Sequence, residues 1–508
     1  MQSSLLQKSD NLRLAANKRL NKINKLNFAQ YMTPSSTASF MASLFKLKPG
    51  RVSLLDPGAG IGCLSSAFID RVISEKNHSN IEIDSYEIDS SIKGYLHDNL
   101  FDFSSYANTH AIAVKWNIYN VDFIHQSVDN ILSNKSLWNH SLKQYSYCIM
   151  NPPYKKISSN SQYRRELSAL GIETVNLYSA FVALSIELLE ESGQLVAIIP
   201  RSFCNGPYYK PFRRHILKNT SIDHLHLFNS RNKAFKDDNV LQENIIIALT
   251  KQKIQGPVTV SISTDDTFDD IKYEKYSFEN IVHRDDPESF IHVPYESNYS
   301  KHNISKIMKS SLNELGIQLS TGPVVDFRLK EHLRLNPENG TCPLVYPCHF
   351  KDSRLYWPKD DSKKPNAIEI NNKTQKWLYT AGYYTVVRRF SSKEEKRRLV
   401  ASVVEPDIFP NSEVIAFENH LNVFHENKKG IPELIARGLS VFLNSTAVDN
   451  YFRRFSGHTQ VNATDLKNFK YPNRETLVKL GKWAKKQNRI TQELIDIKID
   501  GLINGNYS

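Results

Sequence analysis

Residues 52–56 form a short apolar run that breaks at Pro57-Gly58-Ala59-Gly60-Ile61-Gly62 and gives way to an apolar-periodic stretch over 64–73. No other feature constrains the fold as much. An apolar run of strand length, stopped by proline and three glycines and followed by helical periodicity, predicts a buried strand, a tight turn and a helix. That is the opening unit of an α/β sheet, and its glycines let a bound group approach the backbone where a Cβ would intrude.

The alternation continues to about residue 250. Residues 81–87 predict a second strand, with Ile81 and Ile83 alternating with polar residues, and 111–116 and 145–150 predict two more. Leu177, Phe181, Leu184 and Leu188 place an amphipathic helix over 174–192, with Gly193 as its C-terminal cap and a buried strand over 194–199 stopped by Pro200. Residues 222–228 and 244–250 predict an adjacent strand pair closing the sheet. His224 and His226 share one face of the first of these and read as packing residues. Beyond Lys253 the α/β rhythm fades. The expected division is a basic helix over 1–27, a catalytic α/β domain over 28–255, a connecting segment over 256–300 that opens as a short β segment and turns polar, and an α+β domain over 301–508, with β-like runs such as 376–388 and helices from about Ile431.

The chain carries 65 Lys and Arg against 53 Asp and Glu, a net charge of +12, which points to a polyanionic partner or a basic face. The five cysteines, Cys63, Cys148, Cys204, Cys342 and Cys348, include no C-x-x-C pair, so they read as reduced thiols and no metal site is expected. The N-terminus lacks the apolar core of a secretory signal, and no run of 18 apolar residues occurs, which together point to the cytoplasm.

Two groups of motifs carry chemistry. In the first, Asp56 stands at the end of the first strand, with Pro57, Gly58, Gly60 and Gly62 in the turn. Glu87, in Tyr86-Glu87-Ile88-Asp89, places a carboxylate at the end of the second strand, where it can accept hydrogen bonds from ribose hydroxyls. Asp122 and Phe123 follow the third strand, offering an acceptor for an adenine amine and a ring to pack on it. Asp56 is placed to meet a cationic amino group of a methionine moiety. This order suits a nucleoside cofactor, S-adenosylmethionine. In the second group, Asn151-Pro152-Pro153-Tyr154 ends the strand over 145–150, 95 positions after Asp56. An exocyclic amine on a flat base is a poor nucleophile because its lone pair is delocalised into the ring. The Asn151 side-chain oxygen and the Pro152 carbonyl can accept its two hydrogens and favour a more tetrahedral nitrogen. Pro153 stiffens the turn and Tyr154 offers a ring to stack on the base.

These motifs resemble the gamma class of DNA amino-methyltransferases, the N6-adenine modification enzymes of type II restriction–modification systems. In that class a Thr-Pro motif precedes the glycine motif. Here Gln30-Tyr31-Met32-Thr33-Pro34 opens a helix over 35–45, and by resemblance Tyr31, Thr33 and Pro34 lie at the methionine end of the cofactor, with Ile88 beside its nucleoside. The match covers about residues 28–250 and includes Asn176-Leu177-Tyr178. The resemblance implies a Rossmann-like S-adenosylmethionine-dependent domain, a flipped target adenine, and a second aromatic stacked opposite Tyr154, either Phe235 or, as the fallback, Phe228. It also implies a C-terminal target-recognition domain acting on double-stranded DNA, monomeric action, and a separate cognate restriction endonuclease. A chain of this length and layout is similar to modification enzymes of six-base palindromes such as CTGCAG.

Residues 301–508 interleave basic and aromatic residues. Arg388, Arg389, Arg397, Arg398, Arg453, Arg454, His458, Gln460 and Asn462 are the expected DNA contacts, arginines gripping guanine edges and Asn or Gln reading adenine. Four rival readings remain. N4-cytosine methylation more often carries Ser in place of Asn151, while RNA bases and protein glutamine need no large basic domain. A fused nuclease would need a lysine where Ile415 follows Pro406-Asp407 and Glu413.

Overall fold

The computed structural model describes residues 4–19, 32–76, 78–135, 142–228, 243–284, 286–294, 304–351, 353–361, 363–391, 395–455 and 460–505. The chain forms two compact units, Met1–Val293 and Pro294–Ser508.

In the first unit, strands β1 (Val52–Pro57), β2 (Asn80–Tyr86), β3 (Ala113–Tyr119), β4 (Tyr145–Met150), β5 (Leu189–Pro200), β6 (Thr220–Phe228), β7 (Asn244–Lys251), β8 (Val258–Ser263) and β9 (Lys272–Tyr276) build one sheet. Their order is β3-β2-β1-β4-β5-β7-β6-β8-β9. β1 to β5 run parallel, and β7 is antiparallel to both β5 and β6. Helices such as Cys63–Glu75 and Leu177–Leu188 cover the sheet. Strands covered on both faces read as continuous apolar runs, as Leu195–Ile199 does. The chain winds outward from β1 through β3, then returns to β4 on the other side of β1. The carboxyl ends of β1 and β4 therefore flank a topological switch point, where open α/β sheets bind ligands.

Two expectations are corrected. The helix ends at Leu188, and the chain passes directly into β5 at Leu189. Gly193 is no helix cap. It lies inside β5 where the register against β4 shifts, Tyr145 facing Leu189 but Tyr147 facing Gln194. A Cβ at Gly193 would stand 2.9 Å from the Glu190 carbonyl and 3.0 Å from that of Tyr145, so close backbone approach requires the glycine. The β segment expected after residue 256 is part of the first unit and not a connection: β8 and β9 extend the sheet past β6, so the strand pair β6–β7 does not close it. The N-terminal helix Ser4–Arg19 packs on the body of this unit. Asn99 Nδ2 donates to Ser9 Oγ and to the Ile61 carbonyl, both at 2.9 Å, and so ties this helix to the glycine turn.

The second unit contains a four-stranded antiparallel sheet (Gln318–Thr321, Leu421–His425, Tyr384–Arg388, Ala401–Val404) and a five-stranded mixed sheet. The expected run over 376–388 is divided between Tyr379–Thr380 in the mixed sheet and Tyr384–Arg388 in the antiparallel one. C-terminal helices follow, with Glu433–Leu443 and Arg474–Lys485 in closest contact. A Cβ at Gly438 would lie 2.0 Å from the Leu477 carbonyl, and one at Gly481 would lie 1.9 Å from that of Leu434. In an open helix, alanine for glycine gains about 1 kcal/mol. Here the clash with backbone reverses the sign, and Gly481→Ala is expected to destabilise the second unit by about 1–3 kcal/mol, read as a lower urea midpoint. No described helix is long and apolar enough to cross a membrane.

Candidate active site

A cavity of about 390 Å³ opens at the switch point, within the size range of small-molecule sites. Thr33, Gly58, Gly60, Glu87, Ile88, Asp122, Phe123, Asn151 and Pro153, all expected from the sequence, lie in its wall.

The glycine turn is held against β2. Gly58 N and Ala59 N donate to the Tyr86 carbonyl at 2.8 and 2.9 Å. Glu87, 5% exposed, accepts from Gly60 N at 2.9 Å through Oε2 and from Asp89 N at 2.8 Å through Oε1. Its carboxylate is thus fixed at the cavity wall. Ile88 and Val121, 47% and 39% exposed, give that end apolar faces, with Phe123 buried behind them. Asp122 caps the following helix, its Oδ1 accepting from Ile124 N and His125 N at 2.8 and 3.1 Å.

Asp56 is fully buried behind the turn. Its Oδ2 accepts from Ser65 Oγ at 2.6 Å, and its Oδ1 has no hydrogen-bond partner. Burial pushes the carboxyl up to about 7, with the Ser65 hydrogen bond opposing the rise. Pro57 ends β1, Gly62 (φ +83°) starts the helix Cys63–Glu75, and Pro34 starts the helix Ser35–Ser43. Asp56, Pro57, Gly62 and Pro34 do not line the cavity.

At the end of β4 the Asn151 amide is held at both ends. Its Nδ2 donates to Thr33 Oγ1 at 3.0 Å, and its Oδ1 accepts from the Tyr154 hydroxyl at 3.0 Å. The Ile198 carbonyl, also 3.0 Å from that hydroxyl, is its alternative acceptor. Pro153 lies 4.0 Å from the space a Cβ at Gly58 would fill, which brings the two motifs together. Pro152 is buried, and the Tyr154 ring sits edge-on to Tyr178 with centroids 6.1 Å apart. Tyr31 and Phe235 lie outside the described residues. Phe228, the fallback, is buried in the core and packs against Phe268, so it is not a base-stacking ring.

The sequence did not show that the chain after Tyr154 returns to the cavity. Ile157, Ser158 and Tyr163 line it, and the Tyr163 hydroxyl donates to Asp122 Oδ2 at 2.5 Å. Beside that bond His125 Nδ1 meets Glu166 Oε2 at 2.5 Å. These contacts join the helix Gln162–Ala169 to one about 40 residues earlier, and no local pattern announces them.

His224 and His226 are buried and share Ser261 Oγ at 2.7 and 2.8 Å. Burial lowers both imidazoles, to about 4 and about 3. Among the described residues, no cluster of three or more His, Cys, Asp or Glu side chains is arranged to hold a metal.

In the second unit, Arg398 is corrected. It is 1% exposed, with Nε donating to Ser391 Oγ at 3.1 Å, so it is an interior residue and not a DNA contact. Arg397 is largely turned inward too, donating to the Leu399 and Ser445 carbonyls. Arg453 pairs with Asp449 at 2.7 Å, and Arg388 pairs with Glu395. Arg389 donates to Gln460 Oε1 at 3.2 Å, and Asn462 starts a short helix. His458 and the Arg454 side chain lie outside the described residues.

A Rossmann-like sheet thus carries a cavity at its switch point, with acidic strand ends and an Asn-Pro-Pro-Tyr turn in its wall. Residues 15–235 match the family model for the Eco57I restriction-modification methylase. The chain is 49% identical over 503 residues to the type II methyltransferase M.BsuBI of Bacillus subtilis, covering 99% of this chain and 98% of the relative. It is 42% identical over 503 residues to M.PstI of Providencia stuartii, covering 97% and 96%. M.AccI of Acinetobacter calcoaceticus is 25% identical over 233 residues, covering 44% of this chain and 37% of its own. The chain belongs to the Eco57I restriction-modification methylase family, and is an enzyme of that family.

Proposed function

We propose that the protein transfers a methyl group from S-adenosylmethionine to N6 of adenine in double-stranded DNA, within a sequence that a cognate restriction endonuclease cuts. The observation that carries this is the clamped Asn151 amide in the wall of the cavity that also holds the glycine turn. The residues present fit the cofactor: Glu87 suits a ribose, Asp122 an adenine amine, and Ile88 and Val121 the faces of the ring. When bound, it supplies an electrophilic methyl group.

Asn151 Oδ1 and the Pro152 carbonyl accept the two N6 hydrogens. This draws the lone pair out of the ring, and after transfer one of those protons leaves to solvent. Tyr154 and Phe235 stack on the base from its two faces. That stacking offsets part of the few kcal/mol needed to unstack it from the duplex. The basic second unit supplies phosphate contacts, which makes binding salt-sensitive.

Thr33 acts through Asn151. Accepting from Nδ2, it holds the amide with its oxygen available to the base. Thr33→Val, which keeps shape and loses the acceptor, is expected to lower kcat about tenfold with little change in cofactor Kd, and Thr33→Ser to restore it. A raised cofactor Kd with unchanged kcat would place Thr33 at the cofactor instead.

The reading is tested by methylating duplex DNA, beginning with one containing CTGCAG, and separating the hydrolysed nucleosides. N6-methyl-2′-deoxyadenosine is expected. N4-methylcytosine would replace the adenine assignment with the cytosine one.

A further inference from the structure

At one edge of the second unit the turn Glu418-Asn419-His420 joins strands Val414–Phe417 and Leu421–His425. Glu418 is fully buried, yet it turns both carboxylate oxygens to His420. The His420 backbone N donates to Oε2 at 2.9 Å, and Nδ1 meets Oε1 at 2.5 Å. Burying a carboxylate is costly unless it is paired. Here the pairing orients an imidazole that is itself 43% exposed.

Neighbouring segments bring exposed rings and cations to the same turn. On one side Asn419 N donates to the Val324 carbonyl at 2.9 Å. That segment continues into Phe327, 64% exposed, with the Arg328 guanidinium 5.5 Å from its ring centre. On the other side Arg389 N donates to the His420 carbonyl at 2.8 Å, and Arg389 Nη1 to that of Asn419 at 3.2 Å. Phe390, 42% exposed, lies 4.8 Å from the His420 ring. Exposed aromatic rings are unfavourable on a purely solvated face. Set among cations and a fixed imidazole, they match the needs of DNA: planar donors for base edges, positive charge for phosphates, and apolar surface for bases and sugars.

We propose that Phe327, Arg328, Arg389, Phe390 and His420 form a surface that reads base edges of the target duplex, with Glu418 as the positioning residue that holds His420. This rests on the chain being a DNA methyltransferase, and it adds Phe327, Arg328, Phe390 and His420 to Arg389 as residues of sequence readout.

The test uses the full chain and genomic DNA from a host lacking such modification, with methylated positions mapped by long-read sequencing. Wild type marks one motif. His420→Ala and Arg328→Ala are each expected to lower the ratio of motif to single-mismatch methylation about tenfold, with cofactor binding unchanged in both; Arg328→Ala is expected to keep the wild-type melting temperature, and His420→Ala to lower it because the buried Glu418 loses its partner. Glu418→Gln is expected to relax the same motif position as His420→Ala. Lys479→Ala, an exposed cation on the helix Arg474–Lys485, should leave the pattern intact. An unchanged ratio in the His420 and Arg328 variants would overturn the proposal. So would uniform weakening at every site with the motif preserved, because the face would then grip phosphates only. If wild type transfers no methyl group to DNA, the underlying function fails, an outcome distinct from a wild type that marks its motif beside unaffected variants.

Discussion

Asn151→Ala is expected to lower methyl transfer to DNA by at least about a hundredfold while cofactor binding survives. The alanine removes one of the two acceptors proposed for the N6 hydrogens. It also frees Thr33 and Tyr154, the groups that hold the amide at 3.0 Å on either end. Asn151→Asp separates these effects. A carboxylate keeps the acceptor, and Thr33 can donate its hydroxyl to it, so activity between wild type and alanine is expected. Single-turnover incorporation of tritiated methyl groups reads the loss. Incorporation by the alanine variant at the wild-type rate would remove Asn151 from the chemistry.

The second large effect is on stability. The Asp56 carboxyl rises from 3.8 to about 7 because it is fully buried, so its ionised form is disfavoured in the folded protein without cofactor. A folded value above the unfolded one means the contribution is complete below pH 3.8 and is lost as pH rises through 7. About 3 units correspond to roughly 4 kcal/mol. Asp56→Asn cannot ionise and has no such loss. The variant is therefore expected to gain stability relative to wild type as pH rises from 4 to 7, with the difference level above that. Urea denaturation of the cofactor-free protein at pH 5 and pH 8 reads the effect, and a difference independent of pH would contradict it.

The parts of this site that were legible in the sequence are those whose chemistry is local. Gly58, Gly60 and Gly62 all take positive φ, and such a turn after an apolar strand admits few other residues. Asn151 and Pro153 are recognisable because a pre-placed turn is written in consecutive residues. Contacts that close over distance were not legible. Tyr163 reaches Asp122 across 41 residues, and Arg398 is an interior side chain despite lying in a run of charges. Gly193 looked like a helix cap because caps and close backbone approaches both select glycine, and only the strand register separates them. β9 escaped notice because an edge strand with four exposed residues carries little apolar signal.

We propose that the clamped Asn151 amide presents adenine N6 for methylation in duplex DNA. Expressing the wild-type chain in a host without such modification, and mapping modified bases across its genome, tests this most directly. N6-methyladenine is expected at one short motif with the wild type and none with Asn151→Ala. N4-methylcytosine, or N6-methyladenine undiminished in the variant, would contradict it.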